Sequence, residues 1–229
     1  MCAELSKELR EIVPTIYRST LFQGLAEDEV RTILPCLGSR LRSYDRDEYI
    51  WRYGDSINSV GFVVSGRVHL IEEDFWGNRN ILAQVDPGEV FGEAYACVPG
   101  SCLQSGVVVV EPARVLFMDI QRMACSCTNS CAFHQRLSQN LLAEVARKNL
   151  RLTEKLGHTS KRSTREKLLS YLSAESQRQG HLIFDIPFNR QQLADYLSVD
   201  RSAMSSELGK LRDEGLIAFS KNHFELREA

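Results

Sequence analysis

No run of apolar residues in this 229-residue chain reaches the roughly 18 that a membrane span needs, and the opening MCAELSKELREIV interleaves charged with apolar side chains instead of building a signal core. Neither a membrane helix nor an export signal is read, so the expected location is the cytoplasm and no membrane partner is expected. An excess of charge is also missing. Lys and Arg total 28 against 30 Asp and Glu, which leaves no bulk attraction to polyanions. Histidine is scarce: the five, at 69, 134, 158, 181 and 223, contain no H-x-H pair, so the convergent ligands of a cupin-type metal enzyme are lacking. A Walker-type loop, a G-x-S-x-G elbow and an H-E-x-x-H helix are equally absent, and no catalytic residues are expected. The seven cysteines make an odd total in a chain without an export signal, which speaks against a disulfide framework.

What is present is clearest from Asn189 to Ile217. Asn189 is a good N-cap, and Leu193, Ala194 and Leu197 share one face of a helix that ends around Tyr196 to Ser198. Asp200 caps a second helix, whose inward positions are Ala203, Met204, Leu208 and Leu211. Its outward positions near the N-terminus are Arg201, Ser202, Ser205 and Ser206, where a recognition helix meets base edges. Gly215 ends the helix, and AFSKNHFELR reads as an extended pair turning at Lys221 and Asn222. The pattern predicts a winged helix-turn-helix. Lys161, Arg162, Arg165 and Lys167 crowd the preceding helix start, where a phosphate backbone could run; Lys161, Arg162 and Arg165, with Asn189, Arg190, Lys210 and Lys221, are the expected phosphate contacts. Residues 158 to 229 hold 11 Lys and Arg against 10 Asp and Glu, so affinity for double-stranded DNA has to come from local placement.

From about Ser39 to Asp119 the pattern changes to short apolar runs (YIW, VGFVVSG, VHLIE, NILAQV, VVVV, VLFMD), which read as strands. Gly54, Gly66, Gly77 and Gly88 recur at intervals of 12, 11 and 11 residues, the turn spacing of an antiparallel sandwich or jelly roll. In PGEVFGEAYAC, Gly88 and Gly92 flank a change of direction and Glu93 opens a short helix; the glycines fit a ligand turn and a plain roll corner equally well. Leu21, Phe22, Leu25, Val30, Ile33 and Leu34 suggest one or two short helices packed on the roll.

Between Asn129 and Leu156 there is neither Pro nor Gly, and helix formers dominate. Ser138, Leu142, Val145, Asn149, Leu152 and Leu156 step by 4 and 3, the spacing of a two-stranded seam in which Asn149 fixes register. Phe133, Leu137, Leu141 and Leu150 mark a second apolar face, for the helix's own roll. Gly157 and HTSKRST read as a hinge. The expected organisation is therefore α+β: an effector-sensing β-roll domain with N-terminal helices (1–128), a long dimerisation helix (129–157) and a winged helix-turn-helix (158–229).

In that order the chain resembles the CRP/FNR family of bacterial transcription regulators, from LFQGL near residue 21 to the wing. The resemblance is most specific in PGEVFGE (87–93), SKRSTREKLLSYL (160–172) and IPFNRQQLADYLSVDRSAMSSELGKLRDEGLI (186–217). It implies a cyclic-nucleotide-binding-like roll with an effector pocket around Gly92, Glu93, Ala94, Cys102, Leu103 and Gln104. It also implies a homodimer paired through Leu142, Val145, Asn149, Leu152 and Leu156, a palindromic operator read in consecutive major grooves, and RNA polymerase as a further partner.

Two departures from the family matter. Cyclic-AMP-binding members carry an arginine about ten residues after the FGE glutamate, whereas no Arg or Lys lies between Glu93 and Arg114 here. A small-molecule effector is expected, with cyclic AMP disfavoured. Many relatives also carry an arginine where Ser206 stands, so a different base preference is expected at that step.

Cys97, Cys102, Cys125, Cys127 and Cys131 place five thiols within 35 residues, enough for a zinc ion, an iron-sulfur cluster or disulfide exchange. C-x-C-x3-C is not a standard zinc spacing, and buried cysteine is also a common core residue. The expected function is an effector- or redox-controlled regulator of transcription. The alternatives are a roll-based sensor acting through protein partners and, behind it, a cupin-type enzyme.

Overall fold

A computed structural model describes residues 6–73, 79–124 and 132–227; Cys2, Cys125, Cys127 and Cys131 lie outside them. The chain forms two compact units, which divide between Ala146 and Arg147.

The first unit opens with α1 (Lys7–Ile16), a 3-10 turn (Thr20–Phe22) and α2 (Glu27–Cys36). Helix α1 is one more helix than the sequence suggested; Ser6 caps it by accepting from the Leu9 amide, and Pro14 lies inside it. The roll follows as β1 (Arg40–Tyr44), β2 (Tyr49–Trp51), β3 (Ser59–Glu73), β4 (Arg79–Val85), β5 (Val90–Phe91), the short α3 (Glu93–Ala96) and β6 (Gly106–Asp119). All pairings are antiparallel, in the order β1-β6-β3-β4, with β2 on β6 and β5 on β3. Helix α4 (Ile120–Ala124) completes the run, and α5 (Ala132–Thr159) begins in the first unit and ends in the second.

The apolar runs of β3 and β6 have a plain cause. Val63, Val115 and Val109 point into the roll, while the alternate residues Phe62, Val64, Leu116 and Met118 point outward into a second core with α1, α2 and the start of α5. Both faces of the sheet are covered there, so alternation of apolar with polar residues gives way to continuous burial from Val60 to Val64. Each such side chain contributes about 1.5–3 kcal/mol by leaving water. Where β3 bends between Val63 and Val68 its register with β6 shifts repeatedly. Gly66 permits the bend: φ is +80°, and a Cβ there would meet the Pro112 carbonyl oxygen at 2.2 Å.

In the second unit α6 (Thr164–Gln179) starts at a capping box in which Ser163 accepts from the Glu166 amide and Glu166 accepts from the Ser163 amide. Strand β7 (Ile183–Asp185), α7 (Arg190–Leu197), α8 (Arg201–Asp213), β8 (Ile217–Ser220) and β9 (His223–Leu226) follow, with sheet order β7-β9-β8. Leu168, Tyr171, Leu172, Phe184, Leu193 and Leu208 belong to its core. The wing turn falls at Lys221, φ +53°, as the sequence suggested, but the third strand β7 was not foreseen. Gly157, expected at a hinge, lies inside α5. An exposed helical glycine costs only about 1 kcal/mol, and the next residue, His158, is buried and anchors the last turn.

Candidate nucleic-acid interface

Helix α7 is capped by Asn189, whose side chain accepts from the Gln192 amide while Gln192 reaches back to the Asn189 amide at 2.9 Å. Ser198, at φ +52°, ends it. Asp200 then caps α8, accepting from the Ala203 amide at 2.9 Å. Met204, Leu208 and Leu211 hold α8 down, and Arg201, Ser202, Ser205 and Ser206 stand exposed at its N-terminal half. Ala203, expected inward, is exposed, because one step before Met204 lies beyond the edge of the apolar stripe. Ser202 donates to Asp200 at 2.5 Å, so its hydroxyl hydrogen is held within the protein.

The charged residues around this helix pair divide into two groups. Lys161 and Arg162 are exposed, and no ion pair holds either side chain among the described residues. Asn189, Arg190 and Lys221 border one concavity, which joins the start of α7 to the wing turn. The Arg190 guanidinium lies over the rings of Phe219 and Phe224, at 4.7 and 5.2 Å, and ties the wing to α7. Arg165 is held by Glu214 through both guanidinium nitrogens and stands 3.5 Å from Glu207. Lys210 also pairs with Glu207, at 3.0 Å. Lys167, which belongs with Lys161, Arg162 and Arg165 to the basic helix start, instead donates to the carbonyls of Leu197 and Ser198 at 3.3 Å and closes the turn between the helices.

In the roll, Gly92 adopts φ +79° and opens α3. Trp51 and Ile57 cover it: a Cβ on Gly92 would lie 2.5 Å from the indole and 3.0 Å from Ile57. Glu93 is buried and Ala94 exposed. The Leu103 amide and carbonyl bond to the loop after β2, at Asp55 and Gly54. Its side chain is buried while its neighbours Cys102 and Gln104 face out, the alternation of an extended chain. Of the six residues named for an effector pocket, Glu93 and Leu103 are thus buried, Gly92 is half-buried, and Ala94, Cys102 and Gln104 are exposed.

Residues 41–125 match the cyclic nucleotide-binding domain and residues 166–228 the Crp-like helix-turn-helix domain. The chain is 30% identical over 215 residues to the cyclic AMP receptor protein of Thermus thermophilus, covering 92% of this chain and 94% of that one. The chain belongs to the CRP/FNR family. It is also 23% identical to the transcriptional activator protein FnrL of Cereibacter sphaeroides, over 80% of this chain and 74% of that one. In fold it is similar to a CooA mutant from Carboxydothermus hydrogenoformans, with a TM-score of 0.55, 17% identity and coverage of 84% and 85%. The chain is therefore a DNA-binding transcription regulator with a cyclic-nucleotide-binding-like sensing domain and a helix-turn-helix.

Within that frame α5 is the helix between sensing and DNA-binding domains. Leu137 and Leu141 are buried in the outer core of the roll. Leu142, Leu150, Leu152 and Leu156 are 61% to 70% exposed, Val145 is half-buried and Asn149 is exposed. Leu150, expected on the inward face, is 70% exposed. Ser138 had been assigned to the seam, but its hydroxyl instead donates to the Met123 carbonyl of α4 at 2.5 Å.

Of the cysteines in question, Cys97 and Cys102 are described, both exposed and outside any disulfide. Desolvation and the nearby Glu93 carboxylate raise the Cys97 thiol, which disfavours the thiolate that metals and oxidants use. Among the described residues no three His, Cys, Asp or Glu side chains converge as metal ligands. No described helix is long and apolar enough to cross a membrane.

Proposed function

We propose that the regulator acts as a homodimer that reads a palindromic operator with Arg201, Ser202, Ser205 and Ser206 on α8. The carrying observation is the division of α8 itself: Met204, Leu208 and Leu211 are buried, while the polar N-terminal face stands free above a capped start. Lys161, Arg162, Asn189 and Lys221 are the proposed phosphate contacts. Arg165, Lys210 and Arg190 mainly set the geometry, since each already has partners within the protein. Pairing through Leu142, Val145, Asn149, Leu152 and Leu156 would place two α8 helices about 34 Å apart, one DNA turn.

The roll is proposed to carry the signal. A small molecule there shifts the pairing of the two α5 helices and so the spacing of the readers, with RNA polymerase the downstream partner in the cytoplasm and binding, not catalysis, the output. The Thermus relative is named for cyclic AMP, but that ligand is not proposed here. Leu103 and Gln104 offer no guanidinium for a cyclic phosphate, and Trp51 covers the glycine of the FGE turn.

Selection of bound duplexes from a random pool, followed by anisotropy titration over salt, tests the reading. The expected outcome is an inverted repeat whose affinity falls steeply with salt, and Arg201→Ala costs about 1–3 kcal/mol and relaxes one base step. Recovery of no enriched repeat by protein shown to be dimeric and folded would overturn it.

A further inference from the structure

Strand alternation places Arg40, Arg42 and Tyr44 on one face of β1; Tyr44 packs against the roll's inner core, while Arg40 and Arg42 are exposed beside it. Arg40 stands opposite Phe117 of β6 in register. Tyr44 and Trp51 meet Phe117 edge to face, with ring centroids 6.3 and 5.6 Å away. Together they form the floor of an open cavity of about 390 Å³, continuous with the roll's apolar core. A third guanidinium reaches its mouth from α4: Arg122 lies so close over Gly38 that a Cβ there would stand 3.2 Å from a terminal nitrogen.

A mouth of this composition is unusual for a structural cavity. Three guanidiniums crowd an aromatic floor, and among the described residues no ion pair neutralises Arg40, Arg42 or Arg122. The carboxylate that does line the cavity, Asp119, is engaged at one oxygen with the Arg122 amide, at 3.0 Å. Forked guanidiniums match carboxylate or phosphate oxygens in two-point contacts, and the aromatic floor accepts a flat apolar body. The volume falls within the range of small-molecule sites.

We propose that this mouth binds an organic anion, a carboxylate or phosphate ester on a flat apolar body, and that such a compound is the signal of the roll. The second clause rests on the sensing role argued above. The route outward is short: Arg122 sits next to Met123, whose carbonyl accepts from Ser138 of α5. A ligand that grips Arg122 therefore acts on the root of the long helix.

The chain has two tryptophans, so a Trp76→Phe background leaves the Trp51 indole as a single reporter in the NMR spectrum of the labelled full-length protein. The probes are 2-naphthoate, 2-naphthyl phosphate and the neutral 2-naphthamide, with hexaglutamate as an acidic peptide. The expected result is a saturable shift of the Trp51 resonance by at least one of the two anions, at least about tenfold weaker with the amide. Arg40→Gln and Arg122→Gln each weaken the anion at least about tenfold, with unchanged thermal midpoints.

No saturable shift with either anion, an equal response to the amide, or indifference to both arginine substitutions overturns the site. A tighter response to hexaglutamate than to the anions also overturns it, and reassigns the face to an acidic protein segment. Operator binding measured on the same preparation separates the two levels: intact DNA binding with no shift defeats the ligand site alone. A saturable shift whose saturation leaves operator affinity unchanged defeats the signalling clause.

Discussion

Trp51 lies over Gly92 so closely that a methyl group on Gly92 would come within 2.5 Å of the indole. The family resemblance implies an effector pocket around Gly92. In this chain an aromatic ring fills that approach, and the same ring forms part of the floor of the arginine-lined cavity on another side.

Gly92→Ala should therefore cost more than Gly88→Ala. Both glycines have positive φ, +79° and +92°, so each substitution carries about 1–2 kcal/mol of backbone strain. Only Gly92 adds the overlap with Trp51, worth roughly 1–3 kcal/mol more, since a Cβ on Gly88 meets nothing within 4 Å. Trp51 belongs to the first unit, so urea unfolding followed by tryptophan fluorescence in a Trp76→Phe background reads the difference. Equal losses at the two sites would contradict the packing described.

Salt titrations should separate true phosphate contacts from arginines already paired. Lys161→Gln and Arg162→Gln are each expected to flatten the slope of log affinity on log salt by about 0.9 per protomer. Arg165→Gln should leave the slope nearly unchanged, because Glu214 and Glu207 already hold that guanidinium. Glu214→Gln, which frees Arg165, should steepen it. A slope for Arg165→Gln as flat as that for Lys161→Gln would mean that the ion pair opens on DNA.

The helix-turn-helix was legible because its determinants are local. Asn189 with Gln192, and Asp200 with Ala203, lie three residues apart, and the apolar spacing of Met204, Leu208 and Leu211 needs no distant partner. What was missed depends on distance. Strand β7 exists because Phe184 pairs with Phe224, and nothing within IFD announces that. Arg165 reads as a free cation until the fold brings Glu214, 49 residues on, against it. Arg40 and Arg42 are exposed charges on a short strand, and only the fold brings them to one cavity with Trp51 and Phe117.

The stripe of leucines on α5 makes a sharper claim about pairing. Leu152→Lys, at an exposed seam position, should raise the dimer dissociation constant on the order of 100-fold, since two copies of a buried leucine are lost per dimer. Leu150→Lys, equally exposed but outside the 4-and-3 stepping, should have far less effect. Sedimentation equilibrium of the two variants decides between them. If Leu150→Lys dissociates the dimer and Leu152→Lys does not, the seam runs along the other face of the helix.

Acidification should loosen the second unit through His158. Its Nδ1 lies 2.9 Å from the Ser170 hydroxyl, its Nε2 is buried without a hydrogen-bond partner, and its ring meets Tyr171 and Tyr196. Burial lowers its pKa below the ordinary 6.5; Glu154 and Glu175 pull the other way, and Lys161 adds to the lowering. The folded state thus binds the proton less readily than the unfolded state, so stability rises with pH through this window. The contribution is fully present above about pH 6.5 and is lost as pH falls toward and through the folded-state pKa. Amide exchange of α6 and α7 between pH 7.5 and 5.5, after correction for intrinsic rates, reads the effect within the second unit, apart from the buried His134 in the first. His158→Gln retains a partner for Ser170 but cannot take up the proton, and should flatten the pH dependence. An undiminished loss of protection in that variant would place the titrating group elsewhere.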